Sequence, residues 1–229
     1  MQAEAPAEPT EPICTDSGAP CSAHTEEHCD SHVSARSTYD DEDAEDDYKL
    51  HRRFDRMGRL VGDDAMKKLH ASHVVVIGVG GVGSFAAEAL ARSGVGRLTL
   101  VDFDRVCVTN SNRQLHALKG SIGKPKAQVL AERLRLINPQ ARVDAQIVFY
   151  STVNADRLLG DTPDFVIDAI DNVTAKCHLL ATCKAKGIAV VSSMGASARL
   201  DPTAVTTDDL SRTRVCALAD EVRRIIGPP

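Results

Sequence analysis

No CxxC pair occurs among the seven cysteines, and seven is an odd number. The first absence argues against a structural zinc site and the second against a secreted disulfide framework. Long apolar runs are missing too. The longest stretch without formal charge or histidine, Val74 to Ala87, contains four glycines and stops at Glu88. It is too short to cross a bilayer, so no membrane span is expected. No apolar segment follows Met1, and the acidic N-terminus argues against a mitochondrial transit peptide. The cytoplasm is the expected compartment. What is present is ordinary for a globular chain: 229 residues, 43% hydrophobic and 26% charged, enough for one to two domains.

Basic residues are nearly absent from one end. Residues 1–49 hold 14 Asp and Glu against Arg36 and Lys49, a net of −12. The remaining 180 residues hold 18 acids and 25 bases, a net of +7, so the overall −5 describes neither part. A basic body is compatible with an anionic partner such as a nucleotide or RNA. The acidic segment has four prolines, an acidic run from Asp40 to Asp47 interrupted only by Ala44, and few large apolar side chains. It is expected to be a disordered tail, with 50–229 forming the folded domain. Within the tail, His24, His28 and His32 lie four apart beside Cys14, Cys21 and Cys29. They would share a helix face and offer metal-ligating atoms. With no close cysteine pair to anchor a site, they read as incidental.

From residue 50 strands and helices alternate. A helix is expected over Leu60 to Ala71, then a β-branched run, His73 to Ile77, of the kind buried on both faces of a parallel sheet. A helix over Ser84 to Ser93, a strand over Arg97 to Val101 and a helix over Pro125 to Ile137 follow. Strands are expected over Arg142 to Phe149, Asp164 to Asp168 and Ile188 to Ser192, with a helix from Val173 to Lys186 stopped by Gly187. The pattern predicts an α/β fold: a doubly wound, mainly parallel, Rossmann-like sheet. Cys177 and Cys183 fall in an apolar helical stretch and are expected to be small buried residues.

Gly78-Val79-Gly80-Gly81-Val82-Gly83 joins the first strand to the next helix. Gly78 permits a tight turn, Gly80 lets a phosphate approach the backbone, and Gly83 lets helix and sheet pack closely. The helix start offers unpaired N–H groups and the positive end of its dipole. Asp102 ends the second strand 19 residues after Gly83, where an acid hydrogen-bonds ribose hydroxyls. Together these predict a nucleotide with a ribose, and NAD is the usual occupant of such a loop.

The residues after Asp102 shift that expectation. Asn110, Arg113 and Lys126 cluster soon after the ribose acid, and Asp168-Ala-Ile-Asp171-Asn172 ends the fourth strand. Arg113 brings a planar fork and Lys126 a point charge, both suited to a triphosphate. Asp171 would face the same phosphates and hold Mg²⁺ through oxygen. Each has a plain alternative: Arg113 a surface ion pair, Lys126 a solvated cation at a helix start, Asp168 or Asp171 a helix cap. An NAD-dependent oxidoreductase would leave Arg113, Lys126 and Asp171 without roles.

At these residues the chain resembles the ubiquitin-activating-enzyme-like superfamily of ThiF/MoeB-type adenylating proteins. The matching pattern runs GxGGxG, DxDxVxxxNxxRQ, GxxK and DxxDN. Within it the sequence is most similar to the tRNA threonylcarbamoyladenosine dehydratase branch. The segments Asp102 to Ala117, Ile137 to Pro139, Val166 to Asn172 and Gly195 to Thr203 carry that likeness. The resemblance implies that Gly78, Gly80, Gly81, Gly83 and Asp102 bind ATP. It implies that Asn110, Arg113 and Lys126 contact its phosphates, and that Asp171 is the acid associated with Mg²⁺ and adenylation. Arg113, Lys126 and Asp171 are then the catalytic set. It further implies a homodimer, with Arg56 matching an arginine that reaches a neighbouring subunit's γ-phosphate. Arg59 is the cation more typical of the dehydratase branch. The implied partner is tRNA bearing threonylcarbamoyladenosine.

Two other readings stay open. Relatives that activate a ubiquitin-like or sulfur-carrier protein share the fold, but many use zinc pairs and a late cysteine. Cys216 is the one late cysteine here, and its predicted helical position suits a buried small residue rather than a nucleophile. The resemblance also implies that the family continues past Gly227-Pro228-Pro229, and its Asp-Pro-Leu is replaced near Val215 to Leu218. A C-terminally truncated, inactive relative is therefore the remaining expectation. It would show an exposed sheet edge or apolar face, and ATP binding would survive better than turnover.

Overall fold

Five short strands form one sheet in which every neighbouring pair runs parallel, in the order β3-β2-β1-β4-β5. They are β1 (His73–Ile77), β2 (Arg97–Val101), β3 (Arg142–Gln146), β4 (Phe165–Asp168) and β5 (Ala189–Ser192). The computed structural model describes residues 52–227, so the acidic tail and its Cys and His residues lie outside the described residues. Among the described residues seven α-helices accompany the strands: α1 (Asp55–Val61), α2 (Asp63–Ala71), α3 (Gly83–Arg92), α4 (Lys126–Ile137), α5 (Ala155–Leu159), α6 (Val173–Lys186) and α7 (Ala217–Ile226). Among the described residues no helix is long and apolar enough to cross a membrane.

The β-branched run of β1 explains its central place. Val74 and Val76 pack with α3 and α4 on one face, alongside Leu98, Leu100, Leu130 and Leu134. Val75 and Ile77 point the other way, toward Leu158, Leu159 and Leu179 of α5 and α6. Val75, Val76 and Ile77 are at most 1% exposed, and each contributes about 1.5–3 kcal/mol through burial. The sheet is thus covered on both sides, as a continuous apolar strand demands. Coverage thins at β4 and β5. There Phe165 and Val191 remain exposed, and β5 is one of the two edge strands among the described residues.

The chain builds outward from β1 to β3, then returns to place β4 on β1's other side. That reversal opens a crevice at the carboxyl ends of β1 and β4, where ligands bind in sheets of this kind.

Two local expectations need correction, and one helix was not expected at all. The helix over Leu60 to Ala71 is two helices, because Gly62 adopts φ +82°, ψ 165°, which no helical residue can hold. Its N–H closes α1 on Gly58's carbonyl at 2.8 Å, and α2 starts at the next residue. The third strand stops at Gln146 rather than Phe149. Gln146 pairs with Val101, the last residue of β2, so Ile147 to Phe149 have no strand beside them. The short helix α5 lies in a stretch with too little periodicity to announce it.

Candidate functional site

The glycine loop leaves β1 at the crevice. Gly78 has φ +85°, and its N–H bonds Val101's carbonyl at 2.8 Å. A β-carbon there would fall 2.7 Å from the carbonyl oxygen of Ala169, just past β4. Position 78 therefore needs glycine for both conformation and space. Gly83 opens α3 against the same turn, and a β-carbon on it would sit 1.8 Å from Gly78's carbonyl oxygen. Gly80 is different: a β-carbon would meet only the Gln114 side-chain nitrogen, at 3.7 Å. The open side of the loop is at Gly80, where a phosphate can approach. No side chain caps the start of α3, although its Ser84 amide already bonds the Gly80 carbonyl at 3.2 Å.

Asp102 closes one flank. Its Oδ2 accepts from the Val79 amide and its Oδ1 from the Asp104 amide, both at 2.8 Å. Burial raises its carboxyl above the usual range, against the pull of those two amides and of the Lys126 charge. The carboxylate is thus oriented by the loop it serves, and its remaining lone pairs can accept from ribose hydroxyls.

The cations sit on the near side. Arg113 lays its stem on Gly81, whose β-carbon would lie 3.3 Å from the arginine Cγ. Its guanidinium is exposed, with Nη1 donating to Thr109's carbonyl and the Asn112 side chain. Lys126 is no solvated helix-start cation: its side chain is 8% exposed, and Nζ lies 2.7 Å from Asp104 Oδ2. One ammonium proton is committed there and two remain for a ligand. Asn110 is buried at the end of a short 3₁₀ turn, with its side-chain oxygen accepting from the Cys107 amide at 3.0 Å. Any ligand contact by Asn110 therefore falls to its Nδ2.

The far flank is the loop between β4 and α6, which carries Asp171 exposed at its tip. Neither Asp168 nor Asp171 caps α6. Asn172 does, accepting from the Ala175 amide at 3.0 Å. Asp168 is instead fully buried in an ion pair with Lys176. Asp171 is a hard oxygen donor, and Mg²⁺ is typically held by one or two carboxylates plus phosphate oxygens, so the donor fits that ion.

Four residues were not legible as site residues. Gln114 and Ser84 adjoin Gly80, and each keeps a buried side-chain oxygen without a protein partner. Gln114 closes the DxDxVxxxNxxRQ pattern, which was its signal. Lys176 belongs to no motif in the sequence and lies in the first turn of α6. His116 is 1% exposed with both ring nitrogens unpartnered, and burial together with the Lys126 charge pushes it down to about 4.

Cys216 needs correction. It is not inside a helix but caps the start of α7, half-buried, with Sγ 3.3 Å from the Gly195 amide. Burial is the largest influence and pushes the thiol up. The amides of Ala219, Gly195 and Leu218 and the charge of Arg199 more than reverse it, leaving the thiol below its ordinary value. Cys177 and Cys183 are buried as expected, and burial pushes Cys183 up to about 11.

Arg56 and Arg59 lie elsewhere. Phe54, just before α1, packs with Met66 against Gly94, which precedes β2. This is the amino end of the strands, opposite the glycine loop. Arg59 is engaged with Asp55 at 3.0 Å, and both arginines are exposed.

Comparison with known proteins matches residues 54–223 to the ThiF family. The tRNA threonylcarbamoyladenosine dehydratase of Haemophilus influenzae is 47% identical over 175 residues, covering 76% of this chain and 67% of that protein. The Escherichia coli protein of the same name is 45% identical over 172 residues, covering 75% and 64%. A crystal structure of the E. coli dehydratase in complex with ATP superposes with a TM-score of 0.75 at 44% identity, covering 76% of this chain and 72% of that one. The chain spans about two thirds of the length of these two curated relatives.

Proposed function

This chain belongs to the ThiF family, and from that premise we propose that it is an ATP-dependent tRNA threonylcarbamoyladenosine dehydratase. The observation that carries the reading is the pair of acids flanking one phosphate loop. Asp102 is bonded to Val79 on one side, and the Asp171 loop packs on Gly78 from the other. The likeness to dehydratases, one of them solved with ATP, supplies the substrate class.

ATP lies with its ribose against Asp102 and its phosphates over Gly80 at the start of α3. The carboxylate of the threonylcarbamoyl group attacks the α-phosphorus, forming a mixed anhydride with AMP and releasing pyrophosphate. Attack on the activated carbonyl from within the same group then closes a ring and releases AMP, so ATP carries away the oxygen lost as water. Arg113 presents two parallel donors to phosphate oxygens, and Lys126, oriented by Asp104, gives its two remaining protons to the same charge. Gln114 and Ser84 offer their unpartnered oxygens beside the loop. Asp171 would hold Mg²⁺, which would supply positive charge against the phosphates. No step needs a cysteine nucleophile.

Two copies of the chain form the working unit in this reading. Arg56 sits at the amino end of the strands and reaches a nucleotide only in another copy. The exposed Phe165 and Val191 offer apolar surface for assembly.

The test uses purified protein, ATP, Mg²⁺ and tRNA carrying threonylcarbamoyladenosine, with digested nucleosides weighed under mild conditions. Loss of one water that requires ATP and disappears in Asp171→Ala supports the reading. ATP binding without that loss points to a different carboxylate, with the C-terminus of a carrier protein next in line.

A further inference from the structure

Lys176 lies in the first turn of α6, a position where lysine normally reaches solvent, yet its side chain and that of Asp168 are both 0% exposed. Its ammonium group has three acceptors: Asp168 Oδ2 at 2.6 Å, the Ser193 carbonyl at 3.0 Å and Ser192 Oγ at 3.1 Å. Asp168 in turn accepts from the Ser192 hydroxyl at 2.6 Å and, through Oδ1, from the Ile170 amide at 3.0 Å. Every proton of the ammonium group has a place, so this is a completed network and not a stray pair.

Stability is a poor explanation for it. Removing two charges from water is costly, and an apolar pair of similar volume is often as stable or more so. Location is the better guide. The network joins the last residue of β4, the end of β5 and the first turn of α6. The loop 169–172 is strung between these anchors, held at Asp168 and Ile170 on one side and at the Asn172 cap and Lys176 on the other. One face of that loop lies on Gly78, and its exposed tip is Asp171.

We infer that Lys176 is a positioning residue: by tying the first turn of α6 to Asp168 and β5, it sets the height of the β4–α6 loop and hence where Asp171 stands relative to the phosphates. The inference rests on the adenylation reading above only for what Asp171 does. The glycine loop and Asp102 are untouched by the network, so its loss acts on turnover far more than on ATP binding.

The test replaces the pair with a neutral one of similar size, Lys176→Met with Asp168→Asn, so that no charge is stranded. Ser192→Ala serves as a milder second variant. Three quantities are read on the full chain: amide hydrogen exchange along 169–172, ATP affinity, and water loss from the modified tRNA nucleoside. The expected result is an intact fold, ATP affinity within about threefold, loop exchange faster by about tenfold while β1 stays protected, and turnover lower by about a hundredfold. Adding Asp171→Ala to the double variant should cost nothing beyond Asp171→Ala alone. Wild-type loop exchange and turnover in the neutral pair, or additive losses with Asp171→Ala, overturn the inference. So does faster exchange spread evenly over the sheet, which marks a merely structural pair. If the neutral pair does not fold, Ser192→Ala decides by the same readouts, with effects of about three- to tenfold. A wild-type chain that is inert on the tRNA overturns the dehydratase reading instead. In that case the loop's exchange still decides for or against positioning.

Discussion

Gly83 stands so close to Gly78 that a β-carbon on the first would fall 1.8 Å from the carbonyl oxygen of the second. The start of α3 is pressed onto the turn leaving β1, and this contact aims the helix at the crevice.

Gly83→Ala should therefore unfold or strongly destabilise the protein, by about 3 kcal/mol or more. Gly80→Ala should leave the fold intact, because its β-carbon finds room, yet weaken ATP by about tenfold or more through loss of close backbone approach. Thermal melts with and without ATP separate the two. Equal destabilisation by both would show that the loop is a packing element alone.

Asp102 takes a backbone N–H on each carboxylate oxygen, so an amide cannot replace it. Asp102→Asn must turn its NH₂ toward either Val79 or Asp104, at a cost of about 1–3 kcal/mol. The ATP-induced rise in Tm should also shrink, because the ribose loses a charged acceptor. A variant that melts like wild type and binds ATP normally would remove Asp102 from the site.

His116 makes stability sensitive to acid. Its pKa falls from an ordinary 6.5 to about 4 in the folded chain, because burial and the Lys126 charge disfavour the imidazolium. The unfolded chain binds the proton first, so stability present above pH 6.5 drains away as pH falls toward 4. The loss is on the order of 3 kcal/mol for a shift of this size. His73, lowered by burial and then by Arg97, acts in the same direction. His116→Gln should flatten the decline of Tm across that window, whatever it does at neutral pH. An unchanged slope would mean that His116 finds a partner once protonated.

Cys216 has the surroundings of a reactive thiol, which makes it a sharp discriminator. The dehydratase chemistry asks nothing of it, so Cys216→Ala should keep turnover within about threefold. Transfer of an activated carrier-protein terminus through a thioester would instead collapse by orders of magnitude. Iodoacetamide should modify Cys216 well before the buried Cys183. A collapse of tRNA dehydration in Cys216→Ala would return the protein-activating reading to the front.

What was readable in the sequence was local. The β-branched run of β1, the glycine spacing and the acid ending β2 are each written as a short pattern of neighbouring residues, so composition and spacing expose them even though Asp102 meets Val79 from 23 residues away. The α6 stop was equally plain, since Gly187 takes a left-handed conformation at its end. Features that the sequence does not announce depend on distance in the chain. Lys126 looks solvated until Asp104, 22 residues earlier, folds over it. Lys176 looks like a surface lysine until β4 and β5 bring Asp168, Ser192 and Ser193 around its tip. Cys216 reads as helical because Ala217 and Leu218 follow, whereas its actual neighbour is Gly195 from the end of the sheet. The break at Gly62 was local but silent, since one glycine in a helical stretch costs about 1 kcal/mol and need not break it.

The anchoring of α1 at the amino end of the strands has a consequence for how activity would be shared. An arginine on that helix cannot serve the nucleotide held by its own chain, so any active centre that uses it is a composite of two polypeptides. Arg56→Ala and Asp171→Ala would then be complementary lesions. Each pure protein would be inert, yet a hybrid pair would gather both lesions into one centre and leave the other whole. Mixing the two inactive proteins would return about a quarter of wild-type activity by random pairing, and the recovery would vanish on dilution as the pairs come apart.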